Sequence, residues 1–375
     1  MTTSMGRVVN GRITLVDVSR EAGVSRSTVS LVLNGNSSIP ESTSLRVRQA
    51  MADLGYVYNR QAANLRTQRS MTIGLIATEI ANPYFAEIAM ALEDRVTSSG
   101  YTLLVGYTRD DVGRQDQLIA TFLERGVDGI VLLPAIGTDL SELAVRLRPL
   151  GLPLVLIARQ EVPQLSFVGT DNRRAGGMLG EHLAQLGVRS VAFLGGHTGN
   201  LSFADRVAGI ADAFDRAGVE LTLSVFEGAA NAAEGVVLAR RLMDSGRMLD
   251  AIVAFSDVVV GGVYSELHAR GVRPGADVAV AGFDDVHATI FNNPPLTSVA
   301  TFPDKIGARS AAAVLAAIEA RRDSSVQATA VDRALVEPVL RIRASTIMWR
   351  PRTGDRVDSG ATPRTEETER NGEIS

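Results

Sequence analysis

Four histidines and no cysteine limit the chemistry open to this chain of 375 residues. Without a thiol there is no disulfide, no thiolate metal site and no cysteine nucleophile. His182, His197, His268 and His287 lie far apart, with no i,i+4 pair and no acid-bracketed metal motif, so surface or loop positions account for them. Gly195-Gly196-His197 follows an apolar run but lacks the spacing of a dinucleotide-binding turn, and Gly176-Gly177 falls inside a helical pattern. Neither a nucleophile elbow nor a P-loop occurs. The adjacent carboxylates Asp284-Asp285 sit where side chains at a strand end point apart. No catalytic site, metal or other cofactor is expected.

What remains is the chemistry of arginine. Residues 1–72 hold nine arginines (Arg7, Arg12, Arg20, Arg26, Arg46, Arg48, Arg60, Arg66, Arg69) against Asp17, Glu21, Glu41 and Asp53, a net of +5. The whole chain is −4, so the remainder carries −9. A basic head on an acidic body suits a protein whose head alone meets a polyanion. Lys305 is the only lysine, so every cation of the head is a guanidinium, able to fork onto a phosphate or a guanine edge. A codon bias toward arginine explains the missing lysines; it leaves the asymmetry unexplained.

The elements that must position these groups follow from local signals. Thr14 with Asp17 reads as a capping box opening a helix that carries Val18 and Ala22 inward and stops at Gly23. Ser25 caps a second helix, Arg26 to Leu33, ended by Asn34-Gly35. A third begins near Pro40, with Leu45, Val47, Met51 and Leu54 as its apolar stripe. Two helices joined by a tight glycine turn make a helix-turn-helix. Residues 59–70 are polar and read as a linker that orders only in a complex.

From Met71 the texture changes to strand and helix in alternation. Apolar runs mark strands at 73–77, 102–106, 129–133, 154–157, 191–194, 251–255 and 278–282. Glycines stop several of the intervening helices: Gly100, Gly126, Gly151, Gly187, Gly218 and Gly271. Continuously apolar strands alternating with helices imply a parallel sheet covered on both faces. Ten or so such units exceed one sheet, so two lobes with a cleft are expected, with a ligand beyond the strand C-termini.

The head run Ile13 to Asn34 (ITLVDVSREAGVSRSTVSLVLN) resembles the helix-turn-helix of the lac-repressor/gal-repressor (LacI/GalR) family. Landmarks at the spacings of that family follow: Asn82-Pro83-Tyr84-Phe85, Gly169-Thr170-Asp171-Asn172, Arg206 with Gly209, and Gly282-Phe283-Asp284-Asp285 before Pro295-Leu296-Thr297. The resemblance spans about residues 13–348. It implies an N-terminal all-α helix-turn-helix head plus an α/β periplasmic-binding-protein-like (type I) body of two doubly wound parallel-sheet lobes. The expected boundaries are a disordered segment 1–12, a DNA-binding domain 13–58, a hinge helix 59–70, an effector-binding and dimerisation domain 71–348 and a disordered tail 349–375.

The implied function is a sequence-specific transcriptional regulator, a repressor, whose affinity for operator DNA is set by a small molecule between the lobes, a sugar or related metabolite. Arg26 and Ser27, at the N-terminus of the recognition helix, would face base edges, while Thr28, Ser30 and Asn34 suit phosphate oxygens, as do the caps Thr14 and Ser25. Leu31 departs from the arginine of some members, so one base contact is either missing or replaced by an apolar one. In the hinge, Leu65 stands at the position of the leucine wedged into the minor groove, Ala62 where two hinge helices pack, and Asn59 also matches, although Tyr58 replaces a common proline.

In the body, Tyr84 and Phe85 would point into the cleft. Arg206 and Asp284 are the polar anchors of the effector, or in Arg206's case a salt bridge between lobes. Ser256-Asp257 replaces an Asn-Asp pair, and Ala229-Ala230 falls where an aromatic ring often stacks on a sugar, departures that leave the ligand open and point to one unlike the commonest sugars. Arg159, Asp171 and Thr301 are further candidates, with capping or surface roles as the alternative. The partners implied are a pseudo-palindromic double-stranded operator, the effector and a second copy of the chain, as homodimer or tetramer. No apolar run reaches the roughly 20 residues of a membrane span, and the polar N-terminus argues for the cytoplasm, in association with the nucleoid. A solute-binding protein with a degenerate head is the competing reading.

Overall fold

The computed structural model describes residues 13–33, 38–56, 69–159, 162–247, 249–322 and 332–351. The chain forms two compact units that meet in sequence at Ser70 and Met71. Asn34, Asn59, Ala62 and Leu65 lie outside the described residues, together with residues 1–12, most of the hinge and everything after Pro351.

In the first unit, α1 (Leu15–Glu21), α2 (Arg26–Leu33) and α3 (Glu41–Leu54) close on a core of Val18, Ala22, Val29, Val32, Val47 and Ala50. Their ends are set locally. The Asp17 carboxylate accepts the backbone amide and the hydroxyl of Thr14, at 3.0 and 2.7 Å, and the hydroxyl bond holds its pKa below the usual range. Gly23 takes φ +61°, a left-handed turn that returns the Val24 amide to the Ser19 carbonyl at 3.0 Å. Ser25 Oγ accepts the Thr28 amide at 3.1 Å and opens α2. One stripe residue of α3 is misplaced by the sequence reading: Leu45 is 56% exposed, because the inward row runs through Ser44, Val47 and Ala50, one position away.

The second unit holds two six-stranded sheets. In the first lobe β1 (Thr72–Ala77), β2 (Thr102–Tyr107), β3 (Gly129–Leu132), β4 (Leu154–Ile157) and β5 (Ser166–Thr170) alternate with α4 (Pro83–Ser98), α5 (Val112–Glu124) and α6 (Leu140–Leu147). The chain then enters the second lobe through α7 (Asn172–Gln185), β6 (Ser190–Leu194), α8 (Leu201–Ala217), β7 (Thr222–Phe226), α9 (Ala232–Asp244), β8 (Ala251–Ala254), α10 (Asp257–Ala269), β9 (Ala279–Asp284) and β10 (Thr297–Ala300). It returns with α11 (Pro303–Arg322), which packs on α4, and β11 (Arg333–Val336), which joins the first sheet. It crosses once more to β12 (Val339–Arg341) and α12 (Ala344–Ile347).

The strand orders are β11-β5-β4-β3-β1-β2 and β12-β10-β9-β8-β6-β7. Every pairing is parallel except β10 with β12. Each sheet is covered on both faces, which the strands show directly. Val155 and Ile157 of β4 face one core and Leu154 and Leu156 the other; Ala251 and Val253 of β8 are likewise opposed to Ile252 and Ala254.

The body is expected to end at residue 348, with Trp349 the first residue of the tail. Trp349 is 2% exposed and packs in the core of the second lobe, so the folded body extends past it. An indole is too large an apolar surface to leave in water when a core lies beside it.

Candidate effector and DNA-binding sites

The strand C-termini of both lobes open on a cleft of about 1000 Å³. Its second-lobe wall is built around Arg206 of α8, which is 5% exposed. Glycine makes that position possible: a Cβ on Gly176 would lie 2.2 Å from the Arg206 carbonyl oxygen, so α7 and α8 cross backbone to backbone there. The Arg206 guanidinium donates from Nε to Asn172 Oδ1 at 2.8 Å and from Nη1 to the Phe255 carbonyl at 2.5 Å. Its carbon sits 4.9 and 4.5 Å from the ring centroids of Phe255 and Phe283. Asn172 in turn donates to the Thr170 carbonyl and to Ser202 Oγ, at 3.2 and 3.1 Å.

Asp284 ends β9 with φ 106°, a conformation L residues hold only under constraint. The turn brings its carboxylate to 3.6 Å from Arg206 Nη2, with the Thr301 hydroxyl at 3.5 Å. Burial raises its pKa, and the Arg206 charge opposes that without cancelling it. Beside it lies the Ser256 hydroxyl, on a residue 2% exposed; it makes no close hydrogen bond, and its contact with the Asp284 carboxylate works against the burial of that group. Three polar groups thus stand desolvated and incompletely paired in one wall. Such groups cost free energy until something binds them.

The first-lobe wall is more aromatic. Asn82 Oδ1 accepts the Tyr84 amide at 3.0 Å and starts α4, which turns Tyr84 and Phe85 into the cleft, edge to face at 5.1 Å between centroids. The Tyr84 hydroxyl is pushed up in pKa by burial and then by the Asp284 charge. Asp110 accepts Arg159 Nη1 at 2.5 Å and the Ile136 amide at 2.9 Å, pinning the strand ends together. In the other unit, α2 turns Arg26, Ser27 and Leu31 to solvent, with Ser30 half-buried beside them, opposite buried Val29 and Val32. That row, spaced 0, 1, 4 and 5 along the helix, forms one face.

Residues 14–59 match the bacterial regulatory proteins, lacI family, and residues 73–323 match the periplasmic binding protein domain. The chain is 33% identical over 351 residues to an uncharacterized HTH-type transcriptional regulator in the aml 5' region of Streptomyces limosus, covering 90% of this chain and 95% of that one. The chain belongs to the LacI family. The lac repressor dimer bound to operator and the anti-inducer ONPF superposes with a TM-score of 0.78 at 25% identity, over 90% of this chain and 99% of that chain. The complex of the transcriptional regulator CelR with cellobiose gives 0.66 at 29% identity, over 89% and 100%. As a LacI-family member the chain is a DNA-binding transcriptional regulator with a ligand-binding core, and not an enzyme. Among the described residues no helix is long and apolar enough to cross a membrane, and no group of side chains is arranged to hold a metal.

Of the effector-site residues expected from sequence, Tyr84, Phe85, Arg159, Arg206, Ser256 and Asp284 line the cleft, and three do not. Asp171 caps α7, accepting the Arg174 amide at 3.0 Å, and its own amide binds the Val336 carbonyl where two crossovers between the lobes run together. Thr301, fully buried, sits on a third crossover, its carbonyl bound by the Thr170 hydroxyl at 3.2 Å. Asp257 lies behind the wall. The sequence reading also missed Asn172, Tyr107, Asp110 and His197, which is paired to Glu227 at 3.4 Å. For Asn172 the signal was present, next to Asp171 in a landmark run; nothing local marked the others.

Proposed function

We propose that the chain binds a pseudo-palindromic operator as a homodimer and represses transcription, with operator affinity set by a neutral polyhydroxylated metabolite, a sugar, held between the lobes. The observation carrying the effector reading is the desolvated, incompletely paired set Arg206, Asp284 and Ser256. A guanidinium with N–H groups to spare, a carboxylate and a hydroxyl without a close hydrogen bond meet the mixed donor and acceptor demands of vicinal hydroxyls. The charged side chains on the cleft wall balance: Arg109, Arg159 and Arg206 against Glu79, Asp110 and Asp284. A neutral ligand suits that balance. The cellobiose held by the CelR neighbour and the dimer formed by the lac repressor neighbour are in keeping with this reading.

On the DNA side, Arg26 and Ser27 read base edges, Leu31 makes an apolar contact, and Thr28, Ser30 and the caps Thr14 and Ser25 bind phosphates. Asn34, Asn59, Ala62 and Leu65, named from the sequence, complete the contact. The test is selection of bound duplexes from a random pool by the full-length protein, with and without a panel of neutral mono- and disaccharides. A recovered palindrome with a central pyrimidine-purine step, whose recovery changes with one sugar, is the expected result. No motif under any condition would show a head that does not read sequence and a chain that only senses solutes.

A further inference from the structure

Asp257, the first residue of α10, is 4% exposed, and its carboxylate is employed away from the cleft. Ser298 Oγ lies 2.8 and 2.9 Å from its two oxygens, and the Val286 amide donates to Oδ2 at 3.1 Å. The same Ser298 oxygen accepts the Asp285 amide at 3.0 Å. One carboxylate and one hydroxyl therefore hold two consecutive amides. Directly at this point the backbone is strained, with φ 106° at Asp284 and 53° at Asp285. Gly282 belongs to the same arrangement: a Cβ there would meet Asp257 Oδ1 at 2.3 Å, so only glycine lets the carboxylate lie against β9. The strain separates two neighbouring carboxylates. Asp284 is delivered toward Arg206, and Asp285 to Arg343 at 2.7 Å.

We propose that Asp257 is a positioning residue of the effector site: with Ser298 it clamps the Asp285 and Val286 amides, so that the strained turn holds Asp284 against Arg206 at the cleft wall. The functional consequence rests on the reading of Arg206 and Asp284 as effector anchors, but the clamp itself is a property of the unliganded chain. Burial, and then the Asp284 charge, push the Asp257 pKa well above its ordinary range.

The clamp is testable without any ligand. Trp349 is the chain's only tryptophan and is buried in the second-lobe core, so its fluorescence reports unfolding of that lobe. In the full-length protein, thermal midpoints of Arg206→Lys, Asp284→Asn and the double variant define the coupling between the two side chains. That coupling is expected as a shift of a few degrees in the natural sequence, and as close to zero in an Asp257→Asn background. Ser298→Ala should abolish it too, which keeps the test open if Asp257→Asn does not fold. Amide exchange at Asp285 and Val286 should rise roughly tenfold or more in either variant.

No coupling in the natural sequence, or coupling that survives undiminished while the whole lobe is destabilised, overturns the proposal and leaves Asp257 a core residue. Coupling lost together with sugar affinity supports both the clamp and the anchors. Coupling lost with sugar affinity intact supports the clamp and refutes the anchor reading.

Discussion

The head and the body deploy their polar side chains in opposite ways. In the head a core of six small apolar residues pushes Arg26, Ser27 and Leu31 outward, exposed to water until a partner arrives. In the body Arg206, Ser256 and Asp284 are 5%, 2% and 7% exposed, desolvated in advance on a wall stiffened by helix crossings and strand ends. The difference separates what a substitution costs. On the head's face, recognition is lost with little change in stability; on the cleft wall, recognition and stability fall together.

The most severe break is expected at Arg206→Ala. Sugar affinity should fall roughly 100-fold, about 2.7 kcal/mol, by titration calorimetry. The Trp349 midpoint should fall as well, because Asp284 is left buried without its counter-charge. Operator binding without sugar should be retained; its loss would mark Arg206 as structural only. Next comes Arg26→Ala, expected to cost about 1–3 kcal/mol of discrimination at one base pair per half-site. Competition between operator variants measures it, and sugar affinity and the Trp349 midpoint should not move. A uniform loss over all sequences would instead mark a phosphate contact.

Thr14→Ala sharpens the comparison within the head. Removing the cap should cost about 1 kcal/mol of α1 stability, seen as faster amide exchange in α1 with the body unaffected. Smallest is a pH effect confined to the body, since all four histidines lie there. Against the surface or loop position expected of it, His182 is buried on α7, its Nε2 2.8 Å from Thr346 Oγ1, and burial lowers its pKa from 6.5. The folded state favours the neutral ring, so stability is full above the unfolded value and is lost as pH falls through 6.5 toward the folded value. His182→Gln should flatten the Trp349 midpoint in that window. A head melting profile with the same inflection would contradict the assignment.

The same contrast governs what the sequence disclosed. The head was legible almost to the residue because its signals are local: Thr14 with Asp17, Gly23 and Ser25 each act within four positions. Leu45 failed because a stripe read from apolarity alone ignored that Ser44, one position away, faces inward. In the body, buried strands such as β4 were plain as continuous apolar runs, whereas β7, an edge strand, and the short β11 and β12 carried no such run. The cleft was half legible. Tyr84 and Phe85 follow a helix start; Asp171 takes the capping role left open as its alternative, three positions from Arg174, whereas Thr301 is joined to Thr170 by a crossover contact that no local signal marks. Nothing near Trp349 announced a core, since its neighbours come from the other end of the lobe.

The most direct measurement is reciprocal linkage in the full-length protein: affinity for the selected operator with and without saturating sugar, and affinity for that sugar with and without saturating operator. One factor, about 5- to 150-fold, common to both titrations is the expected result. A factor of one in both, with each ligand still binding, would contradict the coupling of head to cleft.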